Sequence, residues 1–275
     1  MPWDEYEERA DAEWSDLLAA EPDEPTVQAF LERHPAFVPG AFSAFSRLSS
    51  GHGPFPSAVV TQPPLQGLKT RTPDFAWISR DSSFLNPVFI ELEAPGKPWL
   101  TDKGKQHHEL TYALDQIREW REWFNDPTHR QLFLEYYELP ALFRKRQWQP
   151  IYVLVYGRSA ENPDGVGRLR AHLTTADKDQ YVIPYEHIQP ERPARDFLCV
   201  RNTTNRYEAV TVPVTVQLDA DLARDWVIVH GKAEAAEASP WLSSERKRFL
   251  AERFEYWDSW AKEQPRGIVS TSDRE

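Results

Sequence analysis

Apolar residues recur near a helical period over residues 3–20, where Trp3, Tyr6, Ala10, Trp14, Leu17 and Leu18 punctuate an acidic run. Pro22 and Pro25 end that helix, and a second one, TVQAFLERHP, opens at Glu24 or Thr26, carries Val27, Phe30 and Leu31 on one face, and stops at Pro35. Residues 36–70 are rich in Gly, Pro and Ser; AFSAF reads as a short helix and SAVV as an extended piece. The centre is clearer. PDFAWISR (73–80) alternates as a strand does, DSSFLN is a turn, and PVFIELEAP (87–95) begins as an unbroken apolar run, the mark of a strand covered on both faces. Leu110, Ala113, Leu114, Ile117, Trp120 and Phe124 then recur at helical spacing, the strongest such pattern in the chain. PIYVLVYG (150–157) is another buried strand with a glycine stop, followed by a helix near Arg168–Thr174 and an extended QYVIPY.

The proline-rich IQPERPARD (188–196) reads as a linker or long turn. FLCVRN, YEAVTVPVTVQL and DWVIVHG then predict a β-rich segment. A terminal helix follows over 240–263, with Pro240 in its first turn, Ser239 as its cap and a face of Trp241, Leu242, Phe249, Phe254, Tyr256 and Trp257. The last ten residues are polar and expected to fray. The whole predicts an α/β protein: a mixed sheet from 73–80, 87–93 and 150–157 packed on the 106–124 helix. It divides into an N-terminal helical arm (1–35), a core (36–187) and a β-rich segment with a C-terminal helix (188–275), which either extends the same domain or forms a small second one.

Composition narrows the setting. No apolar run approaches the ~18 residues of a membrane span, and the acidic start is neither a signal nor a transit peptide. The lone Cys199 excludes an internal disulfide, so a reducing cytoplasm is expected. The net charge is −11, but residues 1–30 hold ten acids against one base, Arg9, which leaves the rest nearly neutral. The acidic total therefore does not exclude nucleic acid, and the N-terminal arm is expected to screen a basic surface.

One cluster carries chemistry. Asp74 begins the first central strand. Glu91 and Glu93 sit at i and i+2 of the second, so both carboxylates point to one face. Two acids after VFI at the end of a buried strand are costly unless a cation sits among them, and hard carboxylate oxygens suit Mg²⁺ or Mn²⁺. Gln116, on the following helix, is a fourth polar group for this cluster. No glycine-rich phosphate loop occurs, and the adjacent pair His107-His108 lacks the spacing of a zinc site.

Pro73-Asp74, a strand ending Glu91-Leu92-Glu93 and a helix carrying Gln116 resemble the core of PD-(D/E)XK nucleases. More specifically, IELEAPGKPWLTDKGKQHHELTYALDQIREWREWF (90–124) resembles the nuclease domain of the Shedu antiphage defence family, through ELE and Pro95, Leu100-Thr101, Lys103-Gly104 and the run of Ala113, Leu114, Gln116, Ile117 and Trp120. The resemblance covers roughly residues 24–160. It implies a restriction-endonuclease-like core and a Mg²⁺-dependent DNA endonuclease of phage defence, leaving a 5′-phosphate. Asp74, Glu91 and the Leu92 carbonyl would hold the ion, Glu93 would orient or deprotonate water, and Gln116 would position substrate or ligand.

The third core position, usually lysine, is Glu93 here. Either glutamate does the work, or Lys97, Lys103 or Lys105 reaches in from the next loop, or catalysis is lost and the chain is an inactive DNA-binding or scaffold module. A carboxylate-rich hydrolase on another substrate would instead show a deep neutral pocket. Lys97, Lys103, Lys105 and the cluster Arg144-Lys145-Arg146 are the candidate DNA contacts. A homo-oligomer is expected from the aromatic faces of the terminal helices.

Overall fold

The computed structural model describes residues 1–42, 52–67, 72–159, 162–204, 206–263 and 275. One mixed sheet organises the chain. Its strands are β1 (Ala58–Thr61), β2 (Phe75–Arg80), β3 (Phe84–Leu92), β4 (Gln147–Trp148), β5 (Ile151–Val155), β6 (Gln180–Ile183), β7 (Leu198–Thr203), β8 (Arg206–Thr211) and β9 (Val229–His230). They lie in the order β6-β5-β3-β2-β1-β7-β8-β9, with the short β4 also on β3. β3 runs parallel to β5 and antiparallel to β2, while β1 is antiparallel to β2 and parallel to β7. The C-terminal ends of β1, β3, β5 and β7 therefore share one edge with the N-terminal end of β2, and that edge carries the chemistry.

The helices are α1 (Trp3–Ala19), α2 (Glu24–Arg33), α3 (His108–Asn125), α4 (Pro127–Tyr136), α5 (Ala141–Arg144), α6 (Pro163–Ala176), α7 (Ala220–Trp226), α8 (Lys232–Ala238) and α9 (Ser244–Glu263). Asp23 caps α2 by accepting from the Thr26 amide, and Pro25 sits in its first turn, so α2 begins at Glu24. The apolar stripe of α3 packs on the sheet, where Phe124 stacks on Phe89 with ring centroids 4.8 Å apart.

Several expectations need correction. The acidic N-terminal segment is no free arm: Trp3, Tyr6, Ala10, Trp14 and Leu18 are buried, and the Trp14 ring lies 4.9 Å from Phe30 and 6.0 Å from Tyr185. Its acids line the outer face of a docked helix. DSSFLN is only half a turn. The Asp81 carboxylate accepts from the Ser83 and Phe84 amides, and β3 begins at Phe84. DWVIVHG is not a strand throughout. Asp219 caps α7, which buries Ala220, Leu222, Ala223 and Trp226, and only Val229–His230 pair. β8 stops at Thr211, before Pro213, which has no N–H for a ladder.

The terminal helix starts at Ser244, capped by the Ser243 hydroxyl accepting from the Arg246 amide at 3.2 Å. Ser239 instead closes α8, a helix that the apolar pattern does not announce, as is α4. Residues 188–196 do not detach the C-terminal segment. The Glu191 amide donates to Ala36, and β7 adds directly to β1, so that segment extends the same sheet. The expected AFSAF helix and the frayed tail fall largely outside the described residues.

Candidate functional site

The antiparallel register of β2 on β3 sets Phe75 against Ile90. The Asp74 amide donates to the Ile90 carbonyl at 3.0 Å, so one further step places Asp74 opposite Glu91. Glu91 ends the buried part of β3 and is 7% exposed. Its Oε1 accepts from the Gln116 amide of α3, which brings together two of the residues singled out from the sequence. Asp74 Oδ2 accepts from the Leu92 amide at 2.7 Å. Glu93, just past the end of β3, pairs with the Lys97 ammonium.

Two residues not singled out from the sequence complete the cluster. Glu24, in the first turn of α2, lies close enough that its charge acts on Asp74 and Lys97. Tyr185, just after β6, donates its hydroxyl to the Glu93 carbonyl at 2.7 Å. Burial raises the Tyr185 phenol pKa well above its ordinary value, and the charges of Asp74, Glu24, Glu93 and Glu91 raise it further. The buried phenol thus lies within electrostatic reach of four carboxylates. The signals for these two are weak in sequence. Glu24, Gln28 and Glu32 make an i, i+4, i+8 polar stripe beside the buried face of α2, and Tyr185 is the last residue of QYVIPY.

The electrostatics arise from crowding acids where water is scarce. Burial, opposed by the Leu92 hydrogen bond but reinforced by Glu24 and Glu93, lifts the Asp74 pKa from 3.8 to about 7. Burial and the Glu93 charge also raise Glu24. For Lys97, burial works to lower the pKa. The bond to Glu93 and the charges of Glu93, Glu109 and Glu24 outweigh it, and the ammonium titrates above its ordinary value.

The loop that returns Lys97 is held by close packing. Gly157 ends β5 with φ +52°, and a Cβ there would stand 2.5 Å from the Lys97 carbonyl and 2.8 Å from the Trp99 indole nitrogen. The Tyr156 hydroxyl donates to the Pro98 carbonyl at 3.0 Å. By contrast, Lys103 and Lys105 are exposed in a tight turn in which the Thr101 amide donates to Lys105. Arg144, Lys145 and Arg146 precede β4, which pairs with the opposite, N-terminal end of β3 at Phe84 and Leu85. Six residue steps of strand separate Leu85 from Glu91, about 20 Å. The structure therefore brings Lys97 to the carboxylates and leaves the 144–146 cluster at the far end of the sheet. Arg146 and Arg80 both lie over the Phe143 ring there.

The donor set is all hard oxygens, and burial with the Glu24 and Glu93 charges already raises Asp74, so the site has the chemistry that a divalent cation satisfies. Among the described residues, however, no three His, Cys, Asp or Glu side chains are already grouped as a metal site. Asp74 is directed to the Leu92 amide and Glu93 to Lys97, whose ammonium supplies positive charge to the cluster.

Fold and site define an α/β protein with a mixed sheet whose strand-end edge gathers carboxylates, a glutamine and a lysine. The model of the family described as Shedu protein SduA, C-terminal, matches residues 21–187, more than half of the chain, and the protein belongs to that family. Membership points to antiphage defence. The matched span begins just before α2 and ends just after Tyr185, so it contains every residue of the cluster. None of the curated proteins and none of the solved structures compared with the chain matches it. Among the described residues no helix is long and apolar enough to cross a membrane.

Proposed function

We propose that the protein is a metal-dependent DNA endonuclease of the Shedu type, with a PD-(D/E)XK-like core. The observation that carries this reading is Glu91, buried at the end of β3 opposite Asp74 and held by Gln116. A Mg²⁺ or Mn²⁺ ion held by Asp74, Glu91 and the Leu92 carbonyl would supply positive charge for the scissile phosphate and lower the pKa of a water. Gln116 fixes the Glu91 carboxylate. Glu93 orients the attacking water and accepts its proton, and the P–O3′ bond breaks to leave a 5′-phosphate, the departing 3′-oxygen taking a proton from solvent. Lys97 takes the place of the lysine absent from position 93: it returns from four residues later to the same carboxylate and offers a cation to a phosphate oxygen. Lys103 and Lys105, farther along this loop, are the next DNA contacts, and Arg144, Lys145 and Arg146 serve only a duplex long enough to reach the far end of the sheet. Two such sites, one per strand, would come from a homo-oligomer.

The alternative, an inactive nuclease-fold DNA-binding module, is favoured by one observation: no three ligating side chains are grouped among the described residues. Plasmid nicking in Mg²⁺ or Mn²⁺ separates the two. The nuclease reading expects wild-type nicking and a loss of at least a hundredfold in Glu91→Ala. Equal inertness of both proteins with retained DNA binding selects the binding module.

A further inference from the structure

A cavity of about 420 Å³ lies beside β6, the last strand on its side of the sheet, between α6 and the segment that follows Tyr185. That volume falls within the usual range for ligand pockets. Phe37 and Ile188 give it an apolar floor. Its polar groups come from two places: Arg170 and Thr174, one turn apart on α6, and His187 and Gln189 after β6.

Arg170 is the informative residue. Its Nε donates to the Val182 carbonyl at 2.8 Å, which holds the guanidinium against β6. Among the described residues it has no carboxylate partner, and burial lowers its pKa with no acid acting to restore it. Arg121 shows the contrast. It is also half-buried, but it pairs with Asp177 and Asp179, whose charges raise its pKa. His187 stands close enough to Arg170 that burial and the Arg170 charge lower its pKa, leaving the ring a neutral N–H donor at neutral pH. Glu191 also lines the cavity, but it accepts from the Gly40 amide at 3.5 Å, and burial rather than Arg170 governs its ionisation. A part-buried cation without a counter-ion is costly, and an anion in the cavity removes that cost.

We propose that this cavity is a binding site for a phosphate group. The Arg170 guanidinium meets its charge, and the Thr174 hydroxyl, the His187 ring N–H and the Gln189 amide donate to its oxygens. The apolar floor takes whatever the phosphate is attached to. Two sources share this chemistry. One is a small phosphorylated molecule that fills the cavity. The other is a backbone phosphate of bound DNA, and this source rests on the nuclease reading. β6 lies two strand spacings from β3, about 10 Å, or about three phosphates along one strand of a duplex. Tyr185, whose hydroxyl donates to the Glu93 carbonyl, precedes His187 by two residues, so the cavity adjoins the edge that carries the acids.

Isothermal titration calorimetry of the full chain with phenyl phosphate and ribose 5-phosphate tests the first source. Fluorescence anisotropy of a labelled DNA duplex in EDTA tests the second. Arg170→Gln removes the cation. His187→Glu, made at an exposed position, sets a carboxylate beside Arg170 and leaves the bond to Val182 in place. Binding of either small phosphate, weakened at least tenfold in both variants, assigns a small ligand. Silence of both at millimolar concentration, with duplex affinity reduced at least threefold in both variants and a salt dependence flatter by about one in Arg170→Gln, assigns a backbone phosphate. A variant that keeps the wild-type circular dichroism and melting temperature yet reaches neither threshold overturns the proposal. Neither assay needs cleavage. A wild-type chain that binds no duplex counts against the nuclease reading and leaves calorimetry alone to decide this one, where silence overturns it.

Discussion

Asp74 offers the sharpest physical test, because its environment penalises the charge that a metal ligand must carry. In the unfolded chain its carboxyl ionises near 3.8; in the folded protein it does so at about 7. Below pH 3.8 both states hold the proton and the residue costs nothing. Between 3.8 and 7 the unfolded state loses its proton first, so stability falls as pH rises, and above 7 the full penalty applies. At about 1.4 kcal/mol per pH unit the penalty reaches at most about 4 kcal/mol. Asp74→Asn removes the charge but keeps an oxygen to accept from the Leu92 amide, as Oδ2 now does at 2.7 Å. The variant should match wild type near pH 4 and exceed it progressively up to pH 8. For a chain of 275 residues the gap corresponds to a melting temperature up to about 8 °C higher, at roughly 2 °C per kcal/mol. Thermal unfolding in EDTA across this range measures it. Adding Mg²⁺ at pH 8 should then raise the wild-type midpoint and narrow the gap. A difference that does not change with pH, or a variant less stable at pH 8, refutes the reasoning about crowded buried carboxylates.

The packing sets three further outcomes. Lys97→Ala should reduce nicking at least a hundredfold at saturating DNA, whereas Lys103→Ala should change it less than threefold, since only Lys97 returns to Glu93; equal effects would return both to the solvated loop. Lys232 is 5% exposed and donates to the Trp226 and Val229 carbonyls and to Asp258. Lys232→Met should therefore destabilise by about 3 kcal/mol in urea unfolding, through the acceptors left unpaired, and a neutral result would mean that water takes their place. Trp14→Ala should cost about 3–5 kcal/mol by opening a cavity against Phe30, Phe37 and Tyr185. Loss of less than 1 kcal/mol would restore α1 to the status of a detachable acidic arm.

The strands β2, β3 and β5 and the helix α3 were legible because their signal is local. A run such as PVFI or a stripe such as Leu110, Ala113, Leu114 and Ile117 states its own burial. The order of Asp74, the Glu91-Leu92-Glu93 strand end and Gln116 was likewise legible, because strand alternation and helix period fix which way those side chains face. The short helices α7 and α8 were not. Seven residues give too little periodicity to outweigh the β-rich composition around them, and Asp219 announces its capping role only through the geometry it adopts.

By itself, then, the sequence determined an α/β chain, the strand that carries the acids and the family to which the chain belongs. The tertiary structure decided which charges meet. It brought Glu24 and Tyr185 within electrostatic reach of Asp74. It chose Lys97 from three loop lysines, because only a glycine at 157 lets that backbone lie so close to β5. It also sent Arg144, Lys145 and Arg146 to the other end of β3 and docked the acidic first helix onto the core. These are long-range outcomes. A charge's neighbours depend on register, strand order and loop closure between segments far apart in the chain, and no local period encodes them.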